Sequence, residues 1–181
     1  MKRNLLALAF LFAGAQAVSA SDTVKVFVLA GQSNMEGKAD QKLIDHQATD
    51  AKTMNFYKHL RTGDAWTVRD DVFIKFLNRH GKLTTGFGSP GKTGPELEFG
   101  HLMGEKLDEP VLLIKAAWGG HSLYRDFRSP SAGMPANEAL QTELASEQAK
   151  VKNANEKNGR NYPLPSMEQV KEPYGKSYRN M

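Results

Sequence analysis

The sequence contains no cysteine. That excludes disulfides, a thiol nucleophile and any thiolate-held metal. It also lacks a polybasic block: its 24 Lys and Arg are interspersed with 20 Asp and Glu, which leaves no footprint for nucleic acid. There is no internal repeat and no low-complexity tract. Beyond the first twenty residues no apolar run is long enough to cross a bilayer.

What is present starts with a leader-like pattern. Met1-Lys2-Arg3 is basic, LLALAFLFAGA is apolar, and Val18-Ser19-Ala20 forms a small-residue cleavage site. This reads as a secretory signal over residues 1–20, because the apolar run is too short for a comfortable span. The expectation is a secreted or periplasmic protein with no membrane attachment after cleavage. The formal charge of +4 then falls by the two charges of Lys2 and Arg3. Residues 21–181 suffice for one domain with a real core and not for two.

Val24–Ala30, apolar apart from Lys25, is short and β-branched and suits a strand buried on both faces of a parallel sheet, and Val111–Ala116 reads as a second buried strand. Between them, Val72–Leu77 alternates, Asn78–Gly81 reads as a turn, and Lys82–Thr85 can return as a second strand of a hairpin. Gly86–Gly94 is a glycine-rich loop. Pro95-Glu96 then opens a helix, with a proline in the first turn and an acid at the positive end. Leu97, His101, Leu102 and Leu107 fall on one predicted face of it. Strand, helix and strand at this spacing are the βαβ signature of an α/β domain. Ala136–Lys157 predicts a solvated helix with a thin apolar stripe at Leu140, Leu144 and Val151, and Ser166–Met181 a further helix.

The first strand runs into Gly31-Gln32-Ser33-Asn34. A serine at the C-terminal end of a parallel strand lies where α/β sheets place their ligands. Its N–H and those that follow can bind a developing oxyanion. Ser and Asn are also ordinary turn residues, so spacing alone leaves a nucleophile and a plain turn both open. Gly119-Gly120, after the second strand, either let the backbone approach a ligand or simply take positive φ. If the two strands are neighbours, one of these glycines can offer a second N–H beside Ser33. Glu96 can orient a base or hold a substrate hydroxyl, and equally serves as a helix N-terminal acid. Trp118 and Tyr124 are candidates to stack on a sugar ring or to pack. Arg125 and Arg128 can reach a carboxylate or sit as surface charge.

GQSNMEG at 31–37, TGPELEFG at 93–100 and KAAWGGHSL at 115–123 occur in this order. Together they resemble the sialate O-acetylesterase-like branch of the SGNH hydrolases, which includes carbohydrate esterases acting on acetylated xylan. The resemblance runs from about Val24 to about Asp126. It implies a flavodoxin-like three-layer α/β/α domain that hydrolyses acetyl esters on carbohydrates through a serine nucleophile, with no metal and no cofactor. Ser33 matches the nucleophile. Its N–H and that of Gly119 or Gly120 match oxyanion donors, and Gln32, Asn34 and Glu96 match positions that shape the pocket. His121 falls where the pattern is loose and is a candidate for substrate contact.

The family pattern also includes a Gln-Gly-Glu-like block and a C-terminal Asp-x-x-His that supplies the base. Neither occurs here, and none of His46, His59, His80, His101 and His121 follows an aspartate by three. His101, on the apolar face of the predicted helix, is expected to be a core residue, and His46 and His80 to be exposed. The expectation is therefore a chain truncated at its C-terminus, with very little esterase activity on its own. Two other readings stand beside it: an inactive domain that binds acetylated glycans, and a hydrolase of longer acyl esters, for which the few aromatics argue no groove.

Overall fold

The computed structural model describes residues 23–181; the leader expected over residues 1–20 lies outside them. The principal elements in chain order are β1 (Lys25–Gly31), α1 (Ser33–Glu36), β2 (Val72–Phe76), β3 (Arg79–Lys82), α2 (Glu96–Lys106), β4 (Val111–Ala117), α3 (Asn137–Asn158), α4 (Met167–Lys171) and α5 (Lys176–Asn180). The long segment between α1 and β2 holds a helix over Gln41–Gln47 and small turns and bridges.

The central sheet has the order β1-β4-β2-β3. β1 and β2 both pair in parallel with β4, and β3 returns antiparallel to β2. The two strands that carry the glycine turns are thus neighbours. On β2, Val72, Ile74 and Phe76 point inward while Phe73 and Lys75 point out, the period-2 pattern of a strand with one face buried. The hairpin is tighter than the sequence predicts. Phe76 pairs with Arg79, so Leu77 and Asn78 alone make the turn, and Leu77 takes φ 53°. The return strand accordingly begins at Arg79 rather than Lys82.

α2 covers one face of the sheet. Leu29, Val72, Ile74, Leu83, Val111 and Leu113 form the core there, with Phe27, Phe99, Met103 and Leu107 packed against it. Phe27 and Phe99 meet edge to face at 5.2 Å. Gly100 lets α2 lie close to the sheet, since a Cβ there would stand 2.2 Å from Leu83 Cδ2 and 3.0 Å from Leu113 Cδ1. Leu102 is exposed, so the buried face of α2 runs through Leu97, Gly100 and His101 rather than Leu102.

β1 departs from the expectation of burial on both faces. It is an edge strand, and Val26 and Val28 are 52% and 54% exposed. Their pairing with Leu112 and Ile114 puts them on the sheet face away from α2. The α/β class holds, but a helical layer is found on only one face among the described residues. The predicted single helix over Ser166–Met181 is also broken. α4 ends at Lys171, and Gly175 at φ 71° starts α5. α3 and α4 enclose a small second core of Leu140, Val170 and Tyr174. No helix among the described residues is long and apolar enough to cross a membrane.

Candidate active site

β1 and β4 end level with one another: Gly31 pairs with Ala117, and Trp118 N–H donates to Gly31 O at 3.2 Å. The turn that carries Ser33 and the turn that carries Gly119-Gly120 therefore leave the sheet side by side. Gly31 is needed for the bend, because a Cβ on it would stand 2.8 Å from Met35 Cβ. Residues 33–36 then form a single helical turn, closed by Glu36 N–H on Gln32 O at 2.8 Å and Gly37 N–H on Ser33 O at 3.1 Å.

Ser33 is half-buried, and its hydroxyl donates to Gln32 Oε1 at 2.9 Å. Asn34 beside it is exposed. The hydroxyl thus has an amide for its partner, not the imidazole that an activated serine requires.

The carboxylate of Glu36 binds the two turns together. It accepts from Ser89 Oγ at 2.6 Å and from Lys38 Nζ at 2.9 Å. It also accepts the Gly119 N–H, and a Cβ at Gly119 would lie 2.8 Å from Glu36 Oε2. Burial pushes the Glu36 carboxyl up, but Ser89, Lys38 and the Gly119 N–H together hold it below its ordinary value. Of the two candidate oxyanion donors, Gly119 is therefore turned to Glu36. Gly120 takes φ 79°, and a Cβ built on it would meet nothing within 4 Å.

Glu96 does not reach the crevice. Its side chain and that of Lys115 are both fully buried, 2.5 Å apart. Glu96 Oε1 accepts the Gly94 N–H at 2.9 Å, and Lys115 Nζ donates further to Glu36 O and Phe87 O at 2.9 and 2.8 Å. Burial lowers the Lys115 pKa, with Glu96 opposing it. Glu96, expected among the positions that shape the pocket, lies buried, where with Lys115 it joins α1, the 87–94 loop, α2 and β4. Gly37 packs against Gly94 in the same layer; a Cβ on Gly37 would lie 2.5 Å from Gly94 Cα. These contacts account for the close spacing of all three motifs around one point.

His121 Nδ1 lies 2.7 Å from the buried Ser177 Oγ and 4.0 Å from Asp126 Oδ1. Its ring stacks on Trp118 at 6.0 Å, and Trp118 in turn packs on Phe127. Burial pushes the Asp126 carboxyl up, but the Ser122 N–H and the Arg125 charge outweigh it and hold it low. His121, Phe127 and Leu123 share a recess of about 160 Å³ with Gly31 and Gln32. The structure thus brings His121 to Gln32, next to Ser33, through the packing of α5 on the 121–128 loop.

The other histidines lie elsewhere. His101 is buried with an unpartnered Nε2, and burial followed by the Arg69 charge lowers its pKa. His59 pairs with Glu98 at 2.8 Å, and His46 and His80 are exposed. Two residues escaped the sequence reading: Lys115, whose signal was a charge inside an apolar strand, and Glu36, which lies within the first motif.

A family model for carbohydrate esterases, sialic acid-specific acetylesterase, matches residues 23–157. No curated protein matches the chain. Among solved structures, it is similar to an X-ray structure of a protein from Arabidopsis thaliana, with 15% identity and a TM-score of 0.37. That alignment covers 70% of this chain and 52% of the other, so the chain spans about half the length of that structure.

Proposed function

The chain belongs to the carbohydrate esterase family of sialic acid-specific acetylesterases, and from that premise we propose that Ser33 is the nucleophile of an exported carbohydrate O-acetylesterase. Ser33 Oγ attacks the acetyl carbonyl carbon and its proton passes to a base. The tetrahedral oxyanion is held by the N–H groups of Ser33 and Gly120. Collapse expels the sugar hydroxyl, which takes a proton as it leaves, and water then releases acetate from the acyl-enzyme. The observation that supports this reading is the Gly31–Ala117 register, which opens both turns at one level.

Ser33 Oγ bonds to Gln32 rather than to an imidazole, so the 181-residue chain turns over slowly. Disabling a triad costs about 10⁶ in kcat while oxyanion donors and binding retain about 10³–10⁴ over water. Hydrolysis of p-nitrophenyl acetate by the purified chain tests this. The expected result is a rate above buffer and far below that of complete serine esterases, lost in Ser33→Ala. A rate untouched by Ser33→Ala overturns the nucleophile; ordinary esterase rates overturn the missing base. The same Ser33–Gln32 bond favours a second reading, an inactive glycan-binding domain, which calorimetric binding of an acetylated oligosaccharide without turnover would support.

A further inference from the structure

The 128–134 loop and the 174–179 turn border an open cavity of about 330 Å³, lined by Arg128, Arg179, Tyr174, Met134 and Pro130 among others, which shares no lining residue with the recess beside Ser33. Arg128 and Arg179 belong to no ion pair among the described residues, whereas Arg125 lies 3.6 Å from Asp126 and 3.8 Å from Glu143. No acid lines the cavity. Glu143 is taken by the Tyr174 hydroxyl at 2.6 Å and by Arg125.

Both guanidiniums are held in place by neutral partners. Arg128 donates from Nε to Gly133 O at 2.6 Å and from its terminal nitrogens to Ala132 O and Tyr124 O at 3.1 and 3.3 Å. It also lies over the Tyr124 ring at 5.0 Å. Arg179 donates to Tyr174 O at 3.0 Å. A guanidinium carries five N–H donors, so both retain donors. Gly175 lies close to both: a Cβ on it would come within 2.9 Å of Arg128 O and 3.0 Å of an Arg179 terminal nitrogen.

We propose that this cavity binds the carboxylate of a small organic acid, gripped by Arg128 and Arg179, with the acid's apolar body against Tyr174, Met134 and Pro130. Two uncompensated charges facing one space favour an anion. The planar fork of arginine matches a carboxylate in two-point contact. The volume is that of a small-molecule site, and apolar walls with a few fixed polar groups are its usual composition. A bare inorganic anion would leave those walls uncovered.

The test titrates the full chain with benzoate, with benzamide as the uncharged isostere and inorganic phosphate as the bare anion, followed by calorimetry. The expected result is saturable benzoate binding on the order of millimolar, with benzamide and phosphate each weaker. Arg179 is exposed and makes a single backbone bond, so Arg179→Gln should leave thermal unfolding unchanged. It should weaken benzoate about tenfold, the loss of one charge-assisted contact, and Arg179→Lys should restore part of it. Ser33→Ala should bind benzoate as the parent does. Equal binding of benzamide, tighter binding of phosphate, no saturable binding, or benzoate affinity unchanged in Arg179→Gln would each overturn the proposal.

Discussion

Lys115 and Glu96 meet at 2.5 Å with no exposed surface on either side chain. The pair does not line the crevice; it holds together the segments that do. Lys115 also takes the carbonyls of Glu36 and Phe87 and lies 4.7 Å from the Phe76 ring centre. Removing one partner strands the other charge in the core. Lys115→Met should therefore destabilise by about 3–5 kcal/mol. Lys115→Met combined with Glu96→Leu should cost clearly less than the sum of the two single changes. Urea unfolding of the three variants checks this; additive losses would mean that the charges are not coupled.

Glu36 makes acid stability testable at one residue. Its carboxyl titrates below its ordinary 4.5 in the folded protein. As pH falls, the unfolded chain binds the proton first, so the stability Glu36 contributes is complete above about pH 4.5 and is lost as pH falls through the folded value. Glu36→Gln lacks this increment, so its stability should fall less steeply than the parent's between about pH 5 and pH 3. In the parent, the Gly119 amide resonance should follow the same titration. Identical acid profiles, or a Gly119 resonance that does not move, would contradict the bond between them.

Much of this frame was legible because its signals are local. β1 and β4 are short apolar runs, the first ending on Gly31 and the second followed two residues later by Gly119-Gly120, and α2 opens on Pro95-Glu96. The two turns meet because neighbouring parallel strands end level, a consequence of the sheet order. What could not be read depends on distant partners. Lys115 looks like an oddity in its strand until Glu96, 19 residues away, is folded against it. Gly119 is turned from the crevice by Glu36, at the far end of the chain's first motif. The tight Leu77-Asn78 turn required a leucine at positive φ, which alternation alone does not signal. Arg128 and Arg179 share a cavity only because Gly175 breaks the final helix.

The motif glycines should differ sharply in their tolerance of a methyl group. Gly120 has open space and only its φ of 79° to object, so Gly120→Ala should cost about 1–3 kcal/mol. Gly37 combines φ 91° with a Cβ position 2.5 Å from Gly94 Cα, a backbone atom that cannot swing away. Gly37→Ala should cost more than Gly120→Ala and displace α1 from the 93–94 segment. Thermal unfolding ranks the two; equal losses would remove the close packing of the first two motifs as the reason for those glycines.

The uncovered sheet face carries the last prediction. Val26 and Val28 are apolar, β-branched and half exposed, while Leu113, on the opposite face of the adjacent strand, is completely buried under α2. Burial rather than residue type should set the cost of change. Val26→Thr and Val28→Thr keep the β-branched shape and expose a hydroxyl to water, so each should alter stability by less than about 0.5 kcal/mol. Leu113→Ala opens a cavity in the core and should cost about 2–5 kcal/mol. Val28→Thr losses as large as those of Leu113→Ala in urea unfolding would show that something covers this face in solution, either a segment outside residues 23–181 or a second copy. Sedimentation of the parent and Val28→Thr chains would then separate those two: only a second copy makes the parent's mass concentration-dependent.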